Sequence, residues 1–181
     1  MSGIGIDRVR GMIAAAMIAS MALALGLVGA DRAEAAAYVG ANVLRNWETG
    51  RCLDSDFNGN VYTLPCNLPV GSNAHQIWEP LLLLRSGPNG PQYDVVALKN
   101  KATGRCVAYF SNNTIRTSNQ CHEDDTVSNR KWYAHGTGWN NVGFYLPWGS
   151  QNRFIESNGN GNVYPATTFT THGIQRWKFG F

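Results

Sequence analysis

The stretch Leu44 to Cys52, LRNWETGRC, is written twice. Leu98 to Cys106 reads LKNKATGRC, and each position lies 54 residues after its counterpart. Trp78 is answered by Trp132 at the same interval, and a third, worn copy carries Leu146, Arg153 and Trp177, with Phe154 where Cys52 and Cys106 stand. A repeated unit constrains the fold strongly, because one short unit cannot bury its apolar face alone and must stack against its neighbours. The chain reads as three copies of a small β-rich unit, at about residues 43–80, 93–133 and 142–181.

The residues ahead of the first copy follow a different logic. Met1 to Arg10 is weakly basic, Gly11 to Ala30 is almost wholly apolar, and small residues follow at Ala33-Glu34-Ala35 and Ala35-Ala36-Ala37. That order is expected of a secretory signal peptide over 1–35, cut near 35–37, with a single domain over 38–181. A membrane anchor needs about 20 apolar residues, a length this run approaches. The prompt A-x-A site, and the lack of a basic stop-transfer cluster after it, favour the signal. The expected product is therefore secreted, with no membrane span. The formal net charge is +3, and the basic residues are scattered, Arg130-Lys131 being the sole adjacent pair after the leader. Nucleic-acid binding needs basic clustering on one face, so no nucleic-acid partner is expected.

All four cysteines follow the leader, and an even count in an exported chain implies disulfides. Four cysteines allow three pairings. The repeat selects one, since Cys52 and Cys66 belong to copy one and Cys106 and Cys121 to copy two. Each bridge closes a small loop, worth about 3 kcal/mol by the chain-entropy estimate. A four-thiolate zinc site wants closer spacing within its pairs. In copy three Phe154 and Phe169 take the cysteine positions, two rings that can hold by packing what sulfur holds covalently elsewhere.

Each copy reads as four short strands. In copy one these are Leu44-Arg45-Asn46, Cys52-Leu53-Asp54, Val61 to Leu64, and His75-Gln76-Ile77-Trp78. Asn58-Gly59 is a hairpin signal between the second and third. The equivalent tips are Ser111 to Thr114 and Asn158 to Gly161. Leu81 to Leu84, the most apolar run after the leader, reads as a further buried strand between Pro80 and the Gly/Pro-rich stretch that follows.

The phased tryptophans, the two cysteine pairs, Thr49 to Asp54 (TGRCLD) and the Q-x-W triplets Gln76-Ile77-Trp78 and Gln175-Arg176-Trp177 together resemble the ricin-type β-trefoil lectin family. Copy two departs from its pattern, keeping only Trp132 of the last motif. The resemblance spans the whole chain after the leader. It implies an all-β fold, a β-trefoil of twelve strands in three pseudo-repeats, six closing a barrel and six capping it. It also implies a sugar pocket in each copy, made of an aspartate after the first cysteine, an aromatic ring and a polar pair at the final motif.

No copy is complete by that standard. Copy one offers Asp54 and Gln76, with His75 at the asparagine position, Leu64 at the aromatic position, and Tyr62 on the same strand face as Leu64. Copy two has Ala108 for the aspartate and Arg130 for the glutamine, so its pocket is expected to be lost. Copy three has Glu156, Tyr164 and Gln175, with Ile174 for the asparagine. Gln76 and Gln175 have a competing duty, since buried amides must find hydrogen-bond partners. Trp148, beside Pro147 and Gly149, stands either as an exposed ring or as a cover for the barrel end.

The segment His122-Glu123-Asp124-Asp125 reads as a solvated acidic loop rather than a cation site. No nucleophile motif occurs, and no carboxylate has a recognisable acid–base partner. The expected function is non-catalytic binding of a glycan or polysaccharide, with no cofactor and no metal. Its rivals are a protein-interaction role, such as that of the trefoil accessory subunits of cytolethal distending toxins, and a protease inhibitor using the loop Arg85 to Gln92.

Overall fold

The computed structural model describes residues 39–119, 121 and 128–181, and everything below refers to these. The expected signal peptide and the acidic segment 122–125 lie outside the described residues. The strands are β1 (Asn42–Asn46), β2 (Cys52–Ser55), β3 (Val61–Leu64), β4 (Ile77–Leu84), β5 (Asp94–Asn100), β6 (Cys106–Phe110), β7 (Thr114–Ser118), β8 (Trp132–Gly138), β9 (Asn141–Trp148), β10 (Gln151–Ser157), β11 (Val163–Ala166) and β12 (Trp177–Phe179). Three 3-10 turns precede β4, β8 and β12, at Ala74–Gln76, Ser128–Arg130 and Gly173–Gln175.

Six strands close an antiparallel barrel. β1 pairs with β4, β4 with β5, β5 with β8, β8 with β9, β9 with β12, and β12 returns to β1. The other six form the outer hairpins β2–β3, β6–β7 and β10–β11. Closure leaves the barrel strands no free edge.

The sequence repeat has a local cause at the LRN and LKN positions. The Asn46 side-chain oxygen accepts from the Glu48 and Thr49 N–H groups at 3.2 and 3.0 Å, and Asn100 accepts from Ala102 and Thr103, both at 3.1 Å. Each asparagine thus organises the turn that its own Thr-Gly completes. Below these turns lie equivalent residues in threes: Leu44, Leu98 and Leu146, then Leu53, Val107 and Ile155, then Trp78, Trp132 and Trp177, all at most 1% exposed. Each indole N–H donates to a carbonyl of its own hairpin, Trp78 to Leu53 and Trp132 to Val107 at 2.9 Å, Trp177 to Ile155 at 3.4 Å. The disulfides Cys52–Cys66 and Cys106–Cys121 are formed within their copies.

The expected β-trefoil of three repeats of four short strands gives way to a closed six-stranded barrel with six outer strands. The strands are neither uniformly short nor alike between copies: β4 and β9 have eight residues, β12 has three. His75 and Gln76, expected in a strand, stand in a 3-10 turn because the Asn73 side chain caps it by accepting from the His75 N–H at 3.0 Å. Leu81 to Leu84 is no separate strand but the continuation of β4 past Pro80. The strand tolerates the proline because pairing with β1 ends at Ile77 and Trp78, so no ladder bond is lost at residue 80.

Copy three replaces its disulfide with aromatic packing. Phe154 and Phe169 lie 5.6 Å apart, and His135 on β8 meets Phe169 at 5.3 Å, Tyr145 at 5.6 Å and Tyr93 at 6.0 Å. The imidazole is buried, and a Cβ on Gly143 would come within 2.3 Å of its Nε2. Burial, seconded by the Arg176 guanidinium 3.4 Å from Nδ1, lowers its pKa to about 4. The unfolded chain takes up this proton near the ordinary value of about 6.5 and the folded chain only near 4. Folding stability contributed here is whole above about pH 6.5, falls as the pH drops towards 4, and falls no further below. The loss is on the order of 3 kcal/mol. Denaturant unfolding of the native chain and of His135→Phe across that window checks this. The variant should lose the slope belonging to this group, and parallel curves would refute the assignment.

Candidate functional site

The structure gathers the sequence-predicted residues of copy one around one carboxylate. The register of β2 and β3 places Asp54 opposite Tyr62, and the turn at 74–76 brings His75 and Gln76 to the same side. Asp54 is only 2% exposed. Gln76 and Tyr62 both direct hydrogen bonds at it, with His75 close enough to act on its charge. Burial raises the Asp54 pKa above its ordinary value, against the opposing pull of Gln76, His75 and Tyr62. Burial, together with the Asp54 charge, raises the pKa of the Tyr62 phenol.

The Gln76 amide also carries structure. Its oxygen accepts from the Asn67 N–H at 2.8 Å and its nitrogen donates to Pro65 O at 3.1 Å, tying the loop after β3 to the turn. His75 donates from Nδ1 to Ser55 O at 2.5 Å, which fixes the ring and leaves Nε2 as an acceptor in the neutral form.

Two residues join this site that sequence reasoning missed. Asn73 donates to Asn67 Oδ1 at 3.0 Å and reaches Asp54 at 3.5 Å. Phe57 is 66% exposed and meets the His75 ring edge-on at 5.0 Å. The signal was an aromatic residue just before the Asn58-Gly59 tip, where copies two and three have Ser111 and Gly159. Leu64, the residue at the expected aromatic position, is exposed at the end of β3.

Copy three repeats the arrangement with a longer acid. Tyr164 donates to Glu156 Oε1 at 2.5 Å, and Gln175 donates to Glu156 Oε2 at 2.9 Å and to Thr168 O at 2.8 Å. The Gln175 oxygen accepts from Thr170 N–H at 2.9 Å, matching the duty of Gln76. Copy two has no such centre. Ala108 is buried opposite Arg116, and Arg130 turns inward to bond Ser118 and Asn119 O at 3.1 and 2.8 Å. Trp148 packs against Tyr109 at 5.2 Å, which makes it a partly buried cover. Among the described residues no cluster of three His, Cys, Asp or Glu could hold a metal ion, and no helix is long and apolar enough to cross a membrane.

No family model matches the chain. The structure is similar to that of the GlcNAcα1-4Gal releasing endo-β-galactosidase from Clostridium perfringens, with a TM-score of 0.59 and 17% sequence identity. The likeness covers 80% of this chain and 33% of that one, so the chain spans about a third of the neighbour's length. At that identity it speaks for the fold alone. The neighbour is named as an endo-β-galactosidase and its name does not mark it as a ricin-type lectin; the fold shown is an all-β barrel of six strands with six outer strands, in place of the expected trefoil.

The carboxylate centre of copy three can be read by titration. The Glu156 hydrogen bond, with burial second, pushes the Tyr164 pKa up to about 12. Ionising the phenol breaks that bond and sets two negative charges side by side, so the unfolded chain ionises first. This tyrosine's contribution to stability is whole below about pH 10 and is lost as the pH rises towards 12. In Glu156→Gln the phenol should titrate nearer 10 by ring-resolved NMR. An unchanged midpoint would show that the carboxylate does not hold it.

Proposed function

We propose that the protein is a secreted, non-catalytic carbohydrate-binding module whose working site surrounds Asp54 in copy one. The observation that carries this reading is a buried carboxylate with an exposed phenylalanine, Phe57, at its rim. Sugars are recognised by acceptors for their hydroxyl groups and by apolar surface for the face of the ring. Asp54 and His75 Nε2 supply acceptors, the Asn73 amide supplies a donor and Phe57 supplies the platform, a role in which it replaces Tyr62. Tyr62 and Gln76 hold the carboxylate in place. The site in copy three, Glu156 with Tyr164 and Gln175, is secondary, because Gly159 stands at its hairpin shoulder where copy one has the exposed ring of Phe57.

The endo-β-galactosidase to which the structure is similar acts on a saccharide, which supports a glycan as the ligand class. The two disulfides suit an oxidising, extracellular setting, in line with the resemblance of the sequence motifs to ricin-type lectins.

A glycan-array screen of the folded protein beside Asp54→Ala and Phe57→Ala tests the reading. Asp54→Ala should abolish binding, and Phe57→Ala should weaken it about tenfold or more, the worth of one aromatic contact. Phe57 is exposed enough that its loss leaves folding intact. Unchanged binding by both variants, or no glycan bound by the native protein, would sink the proposal.

A further inference from the structure

One end of the barrel is closed by the three outer hairpins, whose tips are Gly59, Asn113 and Gly161. The three stand at the same place, each donating its N–H back across its own tip, to Asp56, Phe110 and Asn158 O. Each tip also leans on the return strand of a neighbouring hairpin. The Gly59 carbonyl accepts from Thr117 N–H at 2.9 Å and the Gly161 carbonyl from Thr63 N–H at 2.8 Å. Both glycines have positive φ, 85° and 89°, and a Cβ there would lie 3.0 Å from Thr117 O and 2.6 Å from Thr63 O. These two seams are sealed by a backbone bond that only glycine permits at this distance.

The third seam cannot be sealed in that way. The residue equivalent to Thr63 and Thr117 is Pro165, which has no N–H to give. Its counterpart at the tip is Asn113, at φ 61°, which keeps a side chain where the other seams need none. The bridges Asn60↔Arg116 and Tyr62↔Asn162 join the first two seams, and among the described residues the equivalent pair Thr114 and Tyr164 forms none. A groove of about 360 Å³ lies at this place, with Asn113, Thr114, Tyr164 and Pro165 in its wall. That is at the small end of the roughly 300–1,000 Å³ of ligand pockets.

The groove has a cation at its edge. Arg116 is exposed, and one of its terminal nitrogens donates to Asn58 O at 2.8 Å, which holds the guanidinium in place. No acid pairs with it among the described residues. Asn60 and Asn113 add amides, while the equivalent aliphatic residues Val61, Ile115 and Val163 add an apolar side. We propose that this barrel-end groove is a second binding site, specific for an acidic sugar unit. A carboxylate on the pyranose pairs with Arg116, its hydroxyls meet Asn60, Asn113 and Thr114, and its carbon face lies on the aliphatic residues. The site is separate from Asp54 and does not depend on the reading given above for that centre.

Titration of the isotopically labelled protein with glucuronate, followed by amide correlation spectra with glucose as the neutral control, tests this. Glucuronate should shift the amides of Asn60, Asn113, Thr114 and Arg116, and glucose should do so much less. Binding at the other centre would instead move Phe57 and His75, so the two sites succeed or fail separately. Arg116→Gln should weaken the barrel-end response about tenfold or more, the loss of one charge-assisted pair. Pro165→Thr restores the N–H that Thr63 and Thr117 supply. It should close the seam, protect the new amide from hydrogen exchange and lose the response. No shifts at the barrel end, equal affinity in Arg116→Gln, or full binding by Pro165→Thr with a protected amide would each overturn the proposal.

Discussion

The bond from each buried indole N–H to a carbonyl of its own hairpin is the constraint on which the rest of the structure depends. A tryptophan supplies more apolar volume than any other side chain, but it can be buried without cost only where its one donor finds a partner. Trp78, Trp132 and Trp177 meet that condition at Leu53, Val107 and Ile155. The bond fixes where each outer hairpin sits over its barrel strands, and the hairpin in turn places the acids of copies one and three. Asp54 and Glu156 are one residue beyond Leu53 and Ile155 on strands β2 and β10. The position of the two acids is thus set by core packing, and the turns around them add the remaining groups.

That dependence explains which parts of the structure were legible in the sequence. The Asn46 and Asn100 turns, the two disulfides and the tryptophan trio follow from positions that recur from copy to copy, while the grouping of Asp54 with Tyr62 and Gln76 rests on the resemblance of the motifs to a lectin family. Repetition identifies the residues that every copy needs for packing. It is silent on features that occur once. Phe57, Asn73 and the capping of the 74–76 turn belong to copy one alone. The aromatic packing around His135 is legible in its Phe154–Phe169 pair but not in its histidine, which arrives from another copy's strand. The equal, short strands expected of a trefoil failed for a related reason. A recurring motif gives the start of a strand, whereas its end depends on neighbours, as the run of β4 through Pro80 shows.

The glutamines of the Q-x-W triplets show why structural and binding duties need not compete. Each amide has two ends. In Gln76 and Gln175 the oxygen accepts a loop N–H, and the nitrogen divides its two protons between a loop carbonyl and the acid. A single buried side chain therefore ties the loop, satisfies itself and orients the carboxylate. Copy two shows the opposite case. Arg130 stands in place of the glutamine and Ala108 in place of the acid, so the guanidinium bonds Ser118 and Asn119 O directly. The loop stays tied, and the surface chemistry is gone.

Departures from the repeat are consequently the places where this chain could acquire properties of its own. Packing requires three similar walls, so a change that preserves the core is tolerated only at the periphery of a copy. Phe57 at one hairpin shoulder and Pro165 at another hairpin's return strand are such changes, and neither disturbs a core residue. One adds an exposed ring beside a buried acid, and the other removes a single N–H donor from a seam whose two equivalents are closed. A proline at a hydrogen-bonded position of a barrel strand would break a ladder bond and weaken the fold. At the rim it costs one bond between hairpins and leaves a groove beside the Arg116 guanidinium. The same threefold packing that fixes the core thus leaves the hairpin ends free to diverge, and both candidate binding surfaces lie there.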